Sequence, residues 1–203
     1  MKKLIILDRD GVINQDSENF IKSPEEWLPV PGSLEAIARL TRMEYSVMVI
    51  TNQSGIARRL FDIDTLNFIH QKMVRMVHDK GGAIDGIFFC PHAAADLCDC
   101  RKPKSGLFRD LAHRTGHSLC AVPAVGDSLR DLQAAVEVGA FPVLVKTGKG
   151  RKTMKMLATD LSLQAVPDIP IYKDLSAFVD DLLDGGLEHE LLDCEQRANE
   201  NGL

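Results

Sequence analysis

KLIILDRDG, residues 3–11, decides the fold: an aliphatic run is followed by two carboxylates that bracket an arginine, and a glycine closes the segment. A run of Leu and Ile without polar alternation is what a strand buried on both faces requires, and such strands belong to parallel sheets covered by helices. The carboxylates leave the strand at its C-terminal end, where open α/β sheets carry their active sites. Residues two apart on an extended chain point to one side, so Asp8 and Asp10 come together while Arg9 turns away. Anions crowded in this way are costly unless a cation offsets them.

Outward from this stretch, further apolar runs at 46–50, 84–89, 119–125 and 141–145 read as strands, each apolar enough to be buried on both faces. Helical spacing fills the gaps. Leu34, Ile37, Ala38 and Leu40 mark a helix over 33–42 with Ser33 as its N-cap, and Leu66, Ile69, Met73, Met76 and Val77 form one stripe over 64–80. The methionines read as core filler. Helices over 107–115 and 131–138 end at Gly116 and Gly139. A flexible basic loop over 146–152, a weak helix, a strand near 169–172 and a closing helix over 174–183 complete the pattern. The fold class is therefore α/β, a parallel sheet with helices on both faces. One domain is expected over 1–184, and the polar tail 185–203 has few anchors and is expected to be disordered or frayed.

Composition bounds the function. The 203 residues, 45% hydrophobic and 26% charged, suit one sizeable core. A net charge of −5 argues against a general nucleic-acid binder, which needs a basic surface for counterion release. No apolar run approaches the roughly 20 residues of a membrane-spanning helix, and the N-terminus enters a strand instead of a long signal-peptide core. The expectation is a cytoplasmic monomer that engages neither nucleic acid nor membrane.

The second strand end that matters is VGDS, residues 125–128, which puts Asp127 on the same sheet edge as Asp8, with Asp131 one helical turn later. Alone, each aspartate would be read as a turn or cap residue. Together they suit a hard divalent ion, and magnesium binds through a few carboxylates plus substrate phosphate. Thr51, Asn52, Gln53 and Ser54 follow the strand at 46–50 and offer hydroxyl, amide and backbone donors to phosphate oxygens. Arg101 and Lys102 bring positive charge, which a transferring phosphoryl group needs.

Five cysteines is an odd count, and three of them, Cys90, Cys98 and Cys100, crowd around His92. Four such ligands close a tetrahedral site, which points to structural zinc in a loop over 90–103. The ion is expected to fix the direction in which Arg101 and Lys102 enter the site. Cys120 reads as core within a strand and Cys194 as a free thiol in the tail. His70, His78, His113, His117 and His189 read as helix-surface or loop residues.

These motifs resemble the haloacid-dehalogenase superfamily of aspartate-nucleophile phosphatases. Asp8-Arg9-Asp10-Gly11-Val12 is similar to its first motif, Thr51-Asn52 to the second, Lys102 to the third, and Gly126-Asp127 through Asp131 to the fourth. The resemblance implies a Rossmann-like fold without a large cap domain. It implies that Asp8 attacks phosphorus to give an aspartyl-phosphate and that Asp10 acts as acid and then base, on a pKa raised by neighbouring anions. It also implies magnesium held by Asp8, the Asp10 carbonyl and Asp127, with Asp131 in support and with Thr51 and Lys102 on the transferring group.

The zinc loop resembles a branch that contains heptose 1,7-bisphosphate and histidinol-phosphate phosphatases. Asp16, Ser17, Glu18 and Asn19, the loop Thr51 to Ser54, Arg101 and Ser128 match positions that contact substrate there. The preferred substrate is the heptose bisphosphate, losing its C7 phosphate in the making of nucleotide-activated heptose for lipopolysaccharide core. Histidinol phosphate is the alternative, and a zinc-stabilised binding module with a decayed site is the non-enzyme alternative. Arg59 stands where the pattern has glycine, and Ser128 where lysine is frequent.

Overall fold

The structure is a computed structural model that describes residues 2–157, 169–192 and 194. Its aliphatic runs align as six parallel strands: β1 (Lys3–Leu7), β2 (Tyr45–Asn52), β3 (Gly86–Cys90), β4 (Pro123–Gly126), β5 (Phe141–Val145) and β6 (Ile171–Tyr172). They lie in the order β3-β2-β1-β4-β5-β6. The chain runs outward from β1 to β3 and then crosses back to β4, so β1 and β4 flank the point where strand order reverses. Open α/β sheets bind ligands at the carboxyl ends on either side of that point. Leu7 is level with Val49 of β2 and Val125 of β4, which sets the ends of all three strands at one edge.

Each face of the sheet has its own core. Ile5 and Leu7 of β1 pack with Val47, Val49 and Val143 beneath α1 (Ser33–Arg42), α2 (Ile63–Asp79) and α6 (Leu175–Leu183). Leu4 and Ile6, pointing the other way, pack with Met48, Ile50 and Ala124 beneath α3 (Gly106–Thr115) and α4 (Leu129–Val136). Helix α5 (Gly150–Leu157) adds Leu157 beside Leu132 and Leu144. Each such aliphatic side chain contributes about 1.5–3 kcal/mol when fully buried. These two faces position the strand ends that carry the chemistry.

Helix starts follow local hydrogen bonding. Asp62 accepts from the Thr65 amide at 2.8 Å ahead of α2, and Asp174 from the Ala177 amide at 2.9 Å ahead of α6. Gly116 ends α3 in the left-handed conformation expected of it. Ser33 does not cap α1: its hydroxyl donates to the Ile13 carbonyl at 2.7 Å, and Gly32 occupies the cap position.

Several boundaries differ from the sequence reading. The strand expected over 119–125 begins only at Pro123, because Leu119 to Val122 form a turn with Ala121 left-handed at φ 56°. Cys120 therefore sits half-buried outside the strand. β3 is an edge strand and is only half-buried over most of its length, since among the described residues no strand pairs with its far side. The basic loop is shorter than expected, with α5 starting at Gly150. The tail is anchored at its start: 188–192 is helical, Leu187 is buried, and Leu191 and Cys194 pack against the larger core cluster. Residues 195–203 lie outside the described residues. Arg59 adopts φ 56°, the left-handed region that explains a glycine preference at this position.

Candidate active site and metal centre

Asp8 is the first residue after β1, and its amide donates to the Val125 carbonyl of β4 at 2.8 Å. Asp127 follows β4, and Asp131 lies in the first turn of α4, where its carboxylate accepts from the Ser128 amide at 3.0 Å and from the Ser128 hydroxyl. The three aspartates bring carboxylate oxygens within 4.8 Å of one another. The approach is possible because of glycine. A Cβ on Gly11 (φ 87°) or Gly148 (φ 53°) would fall 2.1 Å from Asp127 Oδ2. The Lys149 amide donates to that same oxygen at 2.7 Å, and the Thr147 hydroxyl reaches the Gly11 carbonyl at 2.5 Å. The basic loop thus touches the site through Thr147 and the Lys149 amide, while Lys146, Gly148 and Lys149 are exposed.

Lys102 reaches into this acidic cluster from the segment that follows the cysteine-rich loop. Its ammonium donates to Asp8 Oδ1 at 2.8 Å and to the Ile50 carbonyl at 2.7 Å, and lies 2.6 Å from Asp131 Oδ1. Asn52 holds the Lys102 backbone at two points, its amide nitrogen donating to the Lys102 carbonyl at 3.0 Å and its oxygen accepting from the Lys102 amide at 3.1 Å. Burial alone would lower the Lys102 pKa, but Asp131 and Asp8 outweigh it and raise the value above 10.5.

One ammonium does not balance three buried carboxylates. Burial pushes the Asp8 carboxyl up to about 6 despite Lys102, and burial with repulsion from Asp131 and Asp8 pushes Asp127 up to about 8, both from 3.8. Asp131 goes the other way: burial would raise it, but the charges of Lys102 and Arg130 hold it below 3.8. The uncompensated charge sits on Asp8 and Asp127, and an oxygen-only donor set of this kind fits a hard divalent cation.

Asp10 departs from the sequence reading. Burial would raise its pKa, but the Arg9 charge and donors from Asn14, Arg9 and Gln53 outweigh burial and hold it below 3.8. The expected elevation by neighbouring anions is absent because the long side chain of Arg9 folds onto Asp10. Its guanidinium donates to Asp10 Oδ1 at 2.9 Å and Oδ2 at 3.0 Å. His70, expected on a helix surface, is buried behind Arg9, with Nε2 3.2 Å from Arg9 Nη1.

Above these groups opens a cleft of about 370 Å³. Asp8, Asp10, Thr51, Lys102 and Asp131 line it, as do the expected contact residues Asp16, Ser17, Glu18, Asn52, Gln53, Ser54 and Arg101. Asn19 and Ser128 do not: Asn19 is exposed with its amide on the Ser17 hydroxyl, and Ser128 is buried against Asp131. Sequence reasoning missed Arg58 and Arg130, both at the cleft wall. Lys149 also lines it, and its ammonium pairs with Asp16 at 2.6 Å. The signal for Arg130 was its place between Asp127 and Asp131 in a motif already singled out.

The four ligands expected for zinc converge. Cys90 Sγ lies 3.6 Å from Cys98 Sγ, 3.2 Å from Cys100 Sγ and 3.7 Å from His92 Nδ1, and Cys100 Sγ lies 3.4 Å from Cys98 Sγ and 3.2 Å from His92 Nδ1. A tetrahedron with Zn–S arms of about 2.3 Å has edges of about 3.8 Å, close to this spacing. Burial and a hydrogen bond with Cys100 push the Cys90 thiol up to about 12, so that thiolate needs a cation beside it. Arg101 donates to the His92 carbonyl at 3.2 Å, which couples the cluster to the cleft.

Two family models match, polynucleotide kinase 3 phosphatase over residues 3–128 and HAD-hydrolase-like over 99–177. The D-glycero-beta-D-manno-heptose-1,7-bisphosphate 7-phosphatase of Bordetella bronchiseptica is 61% identical over 152 residues, which is 75% of this chain and 85% of that protein. That of Pseudomonas putida is 47% identical over 89% of this chain and 99% of its own. The crystal structure of the B. bronchiseptica D,D-heptose 1,7-bisphosphate phosphatase, complexed with magnesium and phosphate, superposes with a TM-score of 0.83 at 54% identity, covering 90% of this chain and 98% of that one. The sheet order, the aspartates at its strand ends and this degree of identity lead to one conclusion: the chain belongs to the heptose 1,7-bisphosphate 7-phosphatase family of haloacid-dehalogenase-like hydrolases.

Proposed function

We infer that this chain hydrolyses the C7 phosphate of D-glycero-β-D-manno-heptose 1,7-bisphosphate through an aspartyl-phosphate on Asp8. The observation that carries the reading is the Asp8 carboxylate at the floor of a cleft walled by Arg58, Arg101, Arg130 and Lys149, in a chain so similar to phosphatases of that sugar. A bisphosphate carries more negative charge than the single phosphate ester of histidinol phosphate, whose cationic end has no use for the three arginines at the cleft wall. The chain is read as a cytoplasmic monomer acting on a small phosphorylated sugar, apart from nucleic acid and membrane.

Asp8 is assigned as nucleophile and Asp10 as the group that delivers a proton to the leaving oxygen and later takes one from water. Asp10 is ionised before substrate arrives, and a phosphate dianion brought beside it raises its proton affinity. Lys102 and Thr51 are assigned to the equatorial oxygens of the transferring group, where fixed positive charge and a donor lower the barrier. Magnesium is assigned to Asp8, the Asp10 carbonyl and Asp127, with Asp131 holding Lys102 from behind. When bound, it neutralises charge on the phosphoryl oxygens and on the nucleophile. Zinc at Cys90, His92, Cys98 and Cys100 is assigned a structural role.

The test is magnesium-dependent phosphate release from the heptose bisphosphate, histidinol phosphate and a DNA 3′-phosphate, with Asp8→Asn as control. The expected result is preference for the heptose. A preference for either other ester overturns the substrate, and turnover that survives Asp8→Asn overturns the nucleophile.

A further inference from the structure

Arg9 is among the largest fully buried side chains of the molecule, yet it is charged. Burial of a guanidinium is tolerated only where its donors are met, and here they are met by groups of the site. Its fork spans both oxygens of Asp10, with Nε adding a bond to Oδ1 at 3.2 Å, and Nη2 donates to Gln53 Oε1 at 3.1 Å. That last bond fixes the Gln53 amide. With its oxygen committed to Arg9, Gln53 Nε2 faces Asp10 Oδ2 and the Thr51 hydroxyl, both at 2.9 Å. Reversing the amide would set oxygen against carboxylate.

The remaining corner of the guanidinium points at His70. An arginine has no acceptor, so Nη1 donates and His70 Nε2 accepts, which puts the imidazole proton on Nδ1 and keeps the ring neutral. Burial and then Arg9 drive the His70 pKa down to about 3, in agreement with that geometry. The ring is held in place by its position on the buried side of α2 and by an edge contact with Phe89, at 6.0 Å between centroids.

We propose that Arg9 and His70 are a buried positioning pair, with His70 aiming the Arg9 fork and Arg9 fixing the Asp10 carboxylate and the Gln53 amide for proton transfer. The pair rests on the reading of Asp10 as the acid and base of the reaction. Without His70 the guanidinium keeps its charge but loses one corner of its frame, and the carboxylate it carries loses its direction. An acid aimed at the leaving oxygen contributes about 10²–10⁴-fold, so a modest loss of aim has a measurable effect.

The experiment compares kcat/KM on the heptose bisphosphate and on p-nitrophenyl phosphate for the full-length, magnesium-loaded chain and for His70→Leu and His70→Gln. kcat/KM reports steps up to phosphoryl transfer, and the nitrophenolate leaves without an acid. Their ratio is independent of the folded fraction. His70→Leu is expected to lose about ten- to a hundredfold on the sugar ester and less than about threefold on the aryl ester, and His70→Gln, which restores an acceptor, is expected to recover most of the loss. If His70→Leu does not fold, Arg9→Lys, which keeps the charge and loses the fork, carries the same comparison. Equal losses on both esters, or no loss on either, overturn the pair while leaving the phosphatase reading standing. A wild-type chain with no Asp8-dependent turnover of any ester overturns both.

Discussion

Gly148 shows how little space the clustered carboxylates leave. It occupies the left-handed region, and a methyl group there would collide with Asp127 Oδ2 at 2.1 Å and with the Gly11 backbone at 2.7 Å. Backbone cannot yield as a flexible side chain can, so Asp127 must move or the 146–150 loop must lift. Gly148→Ala is expected to raise the magnesium concentration for half-maximal activity by at least about tenfold, as disturbing a group that packs against a metal ligand does. A magnesium titration of phosphate release checks this, and an unchanged midpoint would remove Asp127 from the proposed metal site. Asp8, Asp127 and Lys102 were legible in the sequence because each follows an apolar run or a fixed motif. Arg9 and His70 were not. Strand alternation reports where a Cα–Cβ bond points, and it is silent on a long side chain that folds back.

The loop from Cys90 to Arg101 has little packing of its own. Its described apolar side chains do little: Leu97 is exposed, and the short 3₁₀ turn Ala94–Asp96 buries nothing. The legibility of this loop in the sequence came from ligand spacing alone, whereas β4 was misjudged at its start because apolar content over 119–122 does not distinguish a turn from a strand. Arg101 depends on the loop through the His92 carbonyl, but Lys102 is held separately by Asn52. Cys98→Ser is therefore expected to act on substrate binding more than on chemistry. KM should rise by about ten- to a hundredfold while kcat stays within a few-fold. Elemental analysis of wild-type protein purified without chelator should find about one zinc per chain, falling in the variant. Zinc-free, fully active wild-type protein would end the structural-zinc assignment.

At the scale of the whole molecule, charge is distributed against its own sum. The chain carries a net −5, yet Arg58, Arg101, Arg130 and Lys149 gather at the mouth of the cleft that holds Asp8. An anionic substrate is repelled by the molecule at long range and drawn to the cleft at short range, and salt acts on the two differently. Screening over roughly 8–10 Å at 0.1–0.15 M leaves the deep Lys102 contacts almost untouched and weakens attraction by the arginines at the mouth, of which Arg58 is exposed and Arg101 and Arg130 are half-buried. Asp16 and Glu18 also line the cleft, and Asp16 already partners Lys149, so the free positive charge at the mouth rests on the arginines. Raising monovalent salt from about 0.02 to about 0.3 M at fixed, saturating magnesium is expected to lower kcat/KM for the bisphosphate several-fold with kcat nearly constant. Arg130→Gln should flatten that slope, since it removes one of the screened charges. A kcat/KM that rises with salt would mean that encounter is governed by repulsion from the net charge of the surface, and one that does not change would mean that the arginines act only after the sugar is already in contact.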